Sequence, residues 1–221
     1  SGAATLGSSV VLLRTAHAAE GGHLHHEPDR PRESIPATGQ DRPLLDRIDP
    51  KPTLPPGEPG KDYTPVVTPN NISLPWKIVD GVKVYHLVAE EVEHEFTPGL
   101  QAHCWGFNGR VHGPTIEAVE GDRLRIYVTN KLPGSTSVHW HGLLLPNGMD
   151  GVAGLTQPVI KPGETFRYEF TLRQHGTYMY HSHHDEMTQM ALGTMGLFVI
   201  HPRKPKAERP DRDFAFMLSE W

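Results

Sequence analysis

The sequence predicts an all-β fold, a sandwich or Greek-key barrel, for the part of the chain that begins near residue 76. Two observations predict it. From Val82 onward, short runs rich in β-branched and aromatic residues recur at regular spacing, and turn residues such as Pro162-Gly163 separate them. Short strands punctuated by turns are typical of β-sandwiches and barrels.

The strand with the clearest pattern is Leu124 to Asn130. Leu124, Ile126 and Val128 alternate with polar residues, which predicts a half-buried strand in an antiparallel sheet. Thr165 to Leu172 shows the same alternation. Other strands are predicted at Val82 to Val92, Thr115 to Val119, around His139 and His141, at Thr177 to His183 and at Met195 to Ile200, and turns at Asn108-Gly109, Gly113-Pro114 and Pro133-Gly134.

Two histidine pairs, His139-Trp-His141 and His181-Ser-His183, carry the chemistry. In a strand, residues i and i+2 point to the same face, about 6.6 Å apart along the chain. Two such strands side by side would direct four imidazoles into one small volume. Without a carboxylate or thiolate in the motifs, this donor set favours copper or zinc. The alternative is a set of ordinary histidines on polar strand faces.

The flanks of these pairs resemble a known family. Ser137-Val-His-Trp-His-Gly-Leu143, Gly176-Thr-Tyr-Met-Tyr-His-Ser-His-His184 and Gly193-Thr-Met-Gly-Leu-Phe-Val-Ile-His-Pro202 resemble the first cupredoxin domain of multicopper oxidases. That family includes laccases, ascorbate oxidases and bacterial copper-resistance oxidases. One His-x-His motif is a weak signal, whereas two with these flanks are specific. The resemblance covers about Val82 to Trp221 and implies the cupredoxin fold.

The resemblance also implies copper as the cofactor. His139 resembles the ligand of the family's type 2 copper, and His141, His181 and His183 resemble type 3 ligands. The implied function is an oxidoreductase that couples one-electron oxidation of a small substrate, a phenol or a metal ion, to reduction of dioxygen to water. Its implied partners are dioxygen, that reductant and the remaining cupredoxin domains of the same protein.

One part of the family pattern is missing from this sequence. The His-Cys-His type 1 copper motif does not occur, and the one cysteine, Cys104, precedes both histidine pairs. We therefore interpret Cys104 as a buried thiol. The chain alone is expected to hold half of a trinuclear copper site and to be inactive as an oxidase.

Asp150 is the candidate catalytic acid. The segment Leu145 to Gln157 resembles the family loop that carries an acid near the copper cluster, which implies that Asp150 delivers protons. The alternative is that Asp150-Gly151 is an ordinary turn pair.

Several neighbouring residues are assigned structural roles. His184 is expected to alternate away from the face of His181 and His183, and Trp140 to pack on the opposite face from its two histidines. Met187, Met190 and Met195 could bind a soft metal, but we expect them to fill the core.

The N-terminal part predicts export. Ala3 to Leu13 has the length of a signal-peptide apolar region, and Ala16-His17-Ala18 resembles a cleavage site; a disordered Ala/Ser tail is the alternative. Export would place the protein in a bacterial periplasm or outside the cell. The run is too short to span a membrane. The net charge of −5, with mixed signs, indicates neither a nucleic-acid surface nor a polybasic anchor.

The predicted organisation has four parts. Residues 1–18 are a signal-peptide remnant, residues 19–75 a disordered Pro- and His-rich extended leader, residues 76–202 the cupredoxin domain, and residues 203–221 a linker with the start of a truncated second domain. In the leader, His23, His25 and His26 could scavenge copper, although a solvated leader is favoured.

Two other functions fit the same residues. One is a non-catalytic periplasmic protein that sequesters copper through the four histidines and the leader. The other is a subunit of a two-domain oligomeric copper oxidase or nitrite reductase. The Met-containing run and the predicted bacterial export favour a role in copper tolerance.

Overall fold

Two β-sheets form the body of the structure, a computed structural model that describes residue 49, residues 54–205, residue 208 and residues 210–221. Within these residues the helical structure consists of a short 3-10 helix, Asn147–Met149, and one four-residue helix, α1 (Glu186–Gln189). The strands are β1 (Val66–Val67), β2 (Trp76–Val79), β3 (Val82–Thr97), β4 (Leu100–Phe107), β5 (Gly113–Val119), β6 (Arg123–Asn130), β7 (Val138–His141), β8 (Thr165–Thr171), β9 (Gly176–Ser182), β10 (Met195–His201) and β11 (Asp213–Phe214).

The strand order explains where the histidine pairs lie. One sheet has the order β5-β10-β9-β7, and the other has the order β2-β3-β6-β8 with β4 paired to β3. The short strands β1 and β11 form a separate parallel pair. The predicted all-β sandwich is confirmed, and both histidine pairs lie on adjacent strands, β7 and β9, at one edge of the four-stranded sheet.

Both main sheets are mixed rather than antiparallel. β6 pairs with β8 in the antiparallel sense but with β3 in the parallel sense, and β10 is likewise parallel to β5. The antiparallel environment predicted for Leu124 to Asn130 is therefore correct on one side only. Alternation of apolar residues reports which face is buried and does not distinguish the direction of the neighbouring strand.

The core lies between the two sheets and is centred on Trp140. This side chain is fully buried, and its ring centroid lies 5.1 Å from that of Tyr168 and 5.6 Å from that of Phe170 on the opposite sheet. Tyr180 and Phe198, from its own sheet, also contact it. The structural role predicted for Trp140 is confirmed, and its burial fixes the direction of the histidines on either side of it.

Two predicted elements need correction, and the structure adds the strands β1, β2, β4 and β11 to those predicted. Gly113-Pro114, predicted as a turn, begins β5, because Gly113 pairs with Gly196 of β10. Residue 113 must be glycine, since a Cβ there would lie 2.6 Å from the hydroxyl of Tyr180. The strand predicted from Thr177 to His183 ends at Ser182.

The described part of the predicted leader packs on the domain. Tyr63, Val66 and Leu74 are buried, and the backbone N–H of Gly57 donates to the carboxylate of Asp122. The boundary between residues 75 and 76 stays a prediction. The predicted signal-peptide remnant and the histidines at 23, 25 and 26 lie outside the described residues. No helix in the described part of the chain has the length and hydropathy needed to cross a membrane.

Candidate metal centre

The pairing of β7 with β9 brings the two histidine pairs together. The antiparallel register sets His139 opposite His181 and Trp140 opposite Tyr180. Because side chains alternate along a strand, the buried Trp140 and Tyr180 point into the core, and His139, His141 and His181 share the other face. The sequence folds this way because the aromatic residue of each strand belongs in the sandwich core.

Three of the four predicted ligands form a tight group. Nitrogen atoms of His139, His141 and His181 lie within 4.8 Å of one another. Their ring centroids are 5.4–5.7 Å apart. The fourth, His183, follows the end of β9; its ring lies 5.2 Å from that of His139, while its Nε2 lies 3.1 Å from Oε1 of Glu186.

Backbone carbonyls orient two of the imidazoles. His139 donates from Nδ1 to the carbonyl oxygen of Asp150 at 2.7 Å, and His181 donates from Nδ1 to the carbonyl oxygen of Ser182 at 2.8 Å. In the neutral rings these bonds leave Nε2 with its lone pair. In metal-binding histidines, the ring nitrogen that does not bind the metal typically donates such a hydrogen bond, which fixes both the tautomer and the ring orientation.

The third imidazole contacts the second. Nδ1 of the exposed His141 lies 3.2 Å from Nε2 of His181. Because Nε2 of His181 carries the lone pair, Nδ1–H of His141 donates this hydrogen bond. Moving that proton to the other nitrogen of His141 would give two lone pairs directed at a metal ion. The residues therefore fit a metal that prefers imidazole, copper or zinc among them.

Burial favours the neutral form of one of these imidazoles. His181 is 5% exposed, and burial lowers its pKa, against the opposing effect of the Ser182 carbonyl that accepts its proton. The nearby His139 and His141 lower the pKa further, since a second positive charge would be repelled. Neutral imidazole is the form that binds metals.

Asp150 lies beside the group in a tightly packed loop. Its carboxylate Oδ1 is 3.6 Å from Nδ1 of His139 and is about one-third exposed. The next residue, Gly151, has φ +88°, and a Cβ there would collide with the carbonyl of Val138. The close approach that only glycine allows brings the Asp150 carbonyl to His139.

The other predictions around the site have mixed outcomes. Cys104 is fully buried, as expected. Met187 was wrongly predicted as a core residue: it is 88% exposed, because it lies on the outer side of α1. For His184 the alternation argument does not apply, since the strand ends before it; the residue is half-buried.

Sequence reasoning missed a polar residue that supports the site. Gln189 is buried and bonds to the hydroxyls of Thr136 and Ser182. It belongs to no motif that marks metal chemistry. A buried glutamine at the end of a helix of four residues can be found only from the fold.

Comparison with known proteins agrees with this geometry. A sequence model of the multicopper oxidase family matches residues 88–205, more than half of the chain. The chain belongs to the multicopper oxidase family. This confirms the resemblance found in the histidine motifs, and family membership supports a copper oxidoreductase function.

Individual relatives match the same region. Copper resistance protein A of Escherichia coli is 43% identical over 123 residues, which cover 56% of this chain and 20% of that protein. An L-ascorbate oxidase of Brassica rapa is 41% identical over 140 residues, 60% of this chain and 24% of the relative. The chain thus spans about a fifth of the length of the curated relatives it matches.

Solved structures support the same assignment of the fold. The crystal structure of a multicopper oxidase from Pseudomonas thermotolerans superimposes with a TM-score of 0.54 and 34% identity, covering 64% of this chain and 31% of that one. The multicopper oxidase from Campylobacter jejuni, described as a metallo-oxidase, gives 0.54 and 32%. These similarities confirm the predicted cupredoxin β-sandwich.

Proposed function

We propose that this chain supplies half of the trinuclear copper site of a multicopper oxidase, which couples one-electron oxidation of a small substrate to reduction of dioxygen to water. The observation that carries the proposal is the group formed by His139, His141 and His181 on paired strands. Family membership selects copper from the metals that imidazoles bind.

In this proposal His139 belongs to the type 2 site, and His141, His181 and His183 belong to the type 3 sites. Bound copper supplies one-electron transfer between the reductant and dioxygen. The chain supplies orientation: Asp150 and Ser182 hold the rings of His139 and His181 through their carbonyl oxygens. The remaining ligands and the type 1 site would come from further cupredoxin domains.

His183 would become a ligand by exchanging its partner. Its Nε2 now contacts Glu186, an exposed carboxylate that can turn away into solvent. A small rotation of either side chain would free that nitrogen to join the other three imidazoles. Glu186 therefore competes with the metal for Nε2 of His183.

Asp150 would hold the proton that dioxygen reduction consumes. Its carboxyl group lies beside the imidazole of His139 and remains accessible to water, so it can be reprotonated after each transfer. General acid catalysis requires a carboxyl group within hydrogen-bond reach of the reacting oxygen, or within one water of it.

We also propose export of the protein to the periplasm or the cell exterior. The support is the apolar run Ala3 to Leu13 followed by Ala16-His17-Ala18. Cell fractionation of a tagged protein, with and without residues 1–18, tests this directly.

The functional proposal is tested by copper stoichiometry. The purified chain is loaded with copper and analysed by elemental analysis, together with oxygen uptake in the presence of a phenol or Cu(I). We expect bound copper that is lost in His139→Ala and His181→Ala. The matched control, His86→Ala, removes an exposed imidazole that bonds to Thr129 on the other sheet and should leave the stoichiometry unchanged.

Oxygen uptake distinguishes a half-site from a complete one. We expect the chain alone to bind copper without consuming oxygen. Turnover by the isolated chain that disappears in His139→Ala would show that the chain completes a cluster by self-association. Equal copper binding by wild type and the His139→Ala and His181→Ala variants would contradict the proposed site.

A further inference from the structure

The side chain of Gln189 joins the two histidine strands. Gln189 is the last residue of α1 and is 2% exposed, whereas Glu186, Met187 and Thr188 before it are exposed. A helix of four residues has almost no stability of its own. Its position must therefore come from tertiary contacts, and in the described residues these include the bonds of the Gln189 amide.

The amide makes three hydrogen bonds to two separate segments. Its Oε1 accepts from Ser182 Oγ at 2.6 Å and from Thr136 Oγ1 at 2.8 Å, and its Nε2 donates to the carbonyl oxygen of Ser135 at 2.7 Å. We call this arrangement the Gln189 bridge. It connects the end of β9 to the residues that lead into β7.

The two segments it connects are those that carry the histidines. Ser182 lies between His181 and His183, and its carbonyl oxygen accepts the Nδ1 proton of His181. On the other side, Thr136 lies three residues before His139. The N–H of His183 also donates to the carbonyl of Ser137 at 3.2 Å, so the segments run side by side at this point.

The bridge is costly to break. Ser182 and Thr136 are fully buried, so each hydroxyl depends on a partner within the protein. A buried polar group that loses its partner keeps its full desolvation penalty, whereas removing both partners is nearly neutral. The stability effect of the bridge can therefore be separated from its effect on geometry.

We propose that Gln189 is a positioning residue for the metal centre, and that the Gln189 bridge holds the end of β9 against the segment that leads into β7, so that the histidines on both strands keep their positions. This inference rests on the proposed function, since copper is the ion whose binding reports the geometry. Replacing a residue that orients the metal ligands without binding the metal itself typically lowers metal affinity by about tenfold to a hundredfold.

The test compares Cu(II) affinity with stability in the full 221-residue chain. Cu(II) dissociation constants are measured by competition with a chromophoric chelator, the electron paramagnetic resonance spectrum of bound Cu(II) reports the ligand set, and denaturant unfolding of the metal-free protein reports stability. We expect Gln189→Leu to weaken Cu(II) binding about tenfold or more and to change the spectrum. Leu87→Ala, a core variant on β3 in the other sheet, should lose stability with unchanged affinity.

A triple variant separates positioning from stability. In Gln189→Leu the hydroxyls of Ser182 and Thr136 lose their shared acceptor and keep the contact of Ser182 with the His184 carbonyl at 3.1 Å and their mutual contact at 3.3 Å. Adding Ser182→Ala and Thr136→Val removes both hydroxyls, so stability should partly recover while Cu(II) binding stays weak. Recovery of wild-type affinity in the triple variant would overturn the inference, as would unchanged affinity and spectrum in Gln189→Leu. Failure of the wild type to bind Cu(II) would instead refute the proposed function, and the inference with it.

Discussion

The loop after the 3-10 helix gives a prediction whose magnitude can be worked out, the substitution Gly151→Ala. Two effects add. The residue has φ +88°, a conformation that costs a non-glycine residue roughly 1–2 kcal/mol, partly offset by about 0.4–1 kcal/mol from the lower entropy of the unfolded chain. The new Cβ also collides with backbone atoms of Val138 and His139, which adds overpacking of about 1–3 kcal/mol.

The same loop offers a control for the conformational effect. Gly154 has φ +79°, and a Cβ there would have nothing within 4 Å. Gly154→Ala should therefore lower the free energy of unfolding by about 1 kcal/mol, and Gly151→Ala by about 2–4 kcal/mol. Denaturant unfolding of the metal-free chain measures both.

The collision should also reach the metal centre. Displacing Gly151 from Val138 separates the Asp150 carbonyl from Nδ1 of His139, and Cu(II) affinity should fall about tenfold. Gly154→Ala should keep the wild-type affinity. If the two variants have equal stability and equal Cu(II) affinity, the close packing of Gly151 does not orient His139 and the reasoning is refuted.

Three further predictions concern the domain that carries the site. Trp140→Ala should lower the free energy of unfolding by about 3–5 kcal/mol, and Trp140→Phe should cost less because the buried indole N–H has no hydrogen-bond partner in the described structure; denaturant titration of both variants checks this. Burial raises the pKa of the Cys104 thiol, so its reaction with a disulfide reagent at neutral pH should be slow in the native protein and fast in denaturant, and Cys104→Ala should retain all bound copper. Burial raises the pKa of Glu169, but the ion pairs with Arg125 and Arg123 outweigh this effect and lower the pKa overall. The ionised carboxylate therefore contributes its full stabilisation at pH values above the ordinary pKa of about 4.3. This stabilisation is lost as the pH falls through the lower pKa of the folded state. Stability measured from pH 6 to pH 3 should therefore fall more steeply in the wild type than in Glu169→Gln.

The parts of the fold that could be predicted are those where local pattern and burial agree. The strands β6 and β8 follow from strict alternation, since one face of each lies on the core. The strand β4 could not be predicted in this way. Its residues Leu100 to Phe107 show no clean alternation, and they pair with the C-terminal half of the long strand β3. Pairing with a neighbour, rather than intrinsic propensity, determines such a strand.

The same limit applies to the site. The i and i+2 spacing predicted that each pair shares a face, which holds for His139 and His141. It could not predict that β9 ends at Ser182 and that Asp185 takes a left-handed conformation with φ 49°, which turns the chain into α1. The contact of His183 with Glu186 and the exposure of Met187 both follow from that turn.

The position of β7 at the edge of its sheet has a consequence for the order in which the molecule opens. β7 has four residues, and among the residues that the structure describes its ladder partner is β9 alone. A metal ion shared by His139 and His181 would cross-link this outermost strand to its neighbour. At a free copper concentration a hundred times the dissociation constant, such binding adds about 2.7 kcal/mol to the folded state. Bound copper would then hold β7 against β9. Amide hydrogens of β7 that exchange early with solvent in the metal-free protein would be protected from exchange in the copper-bound protein.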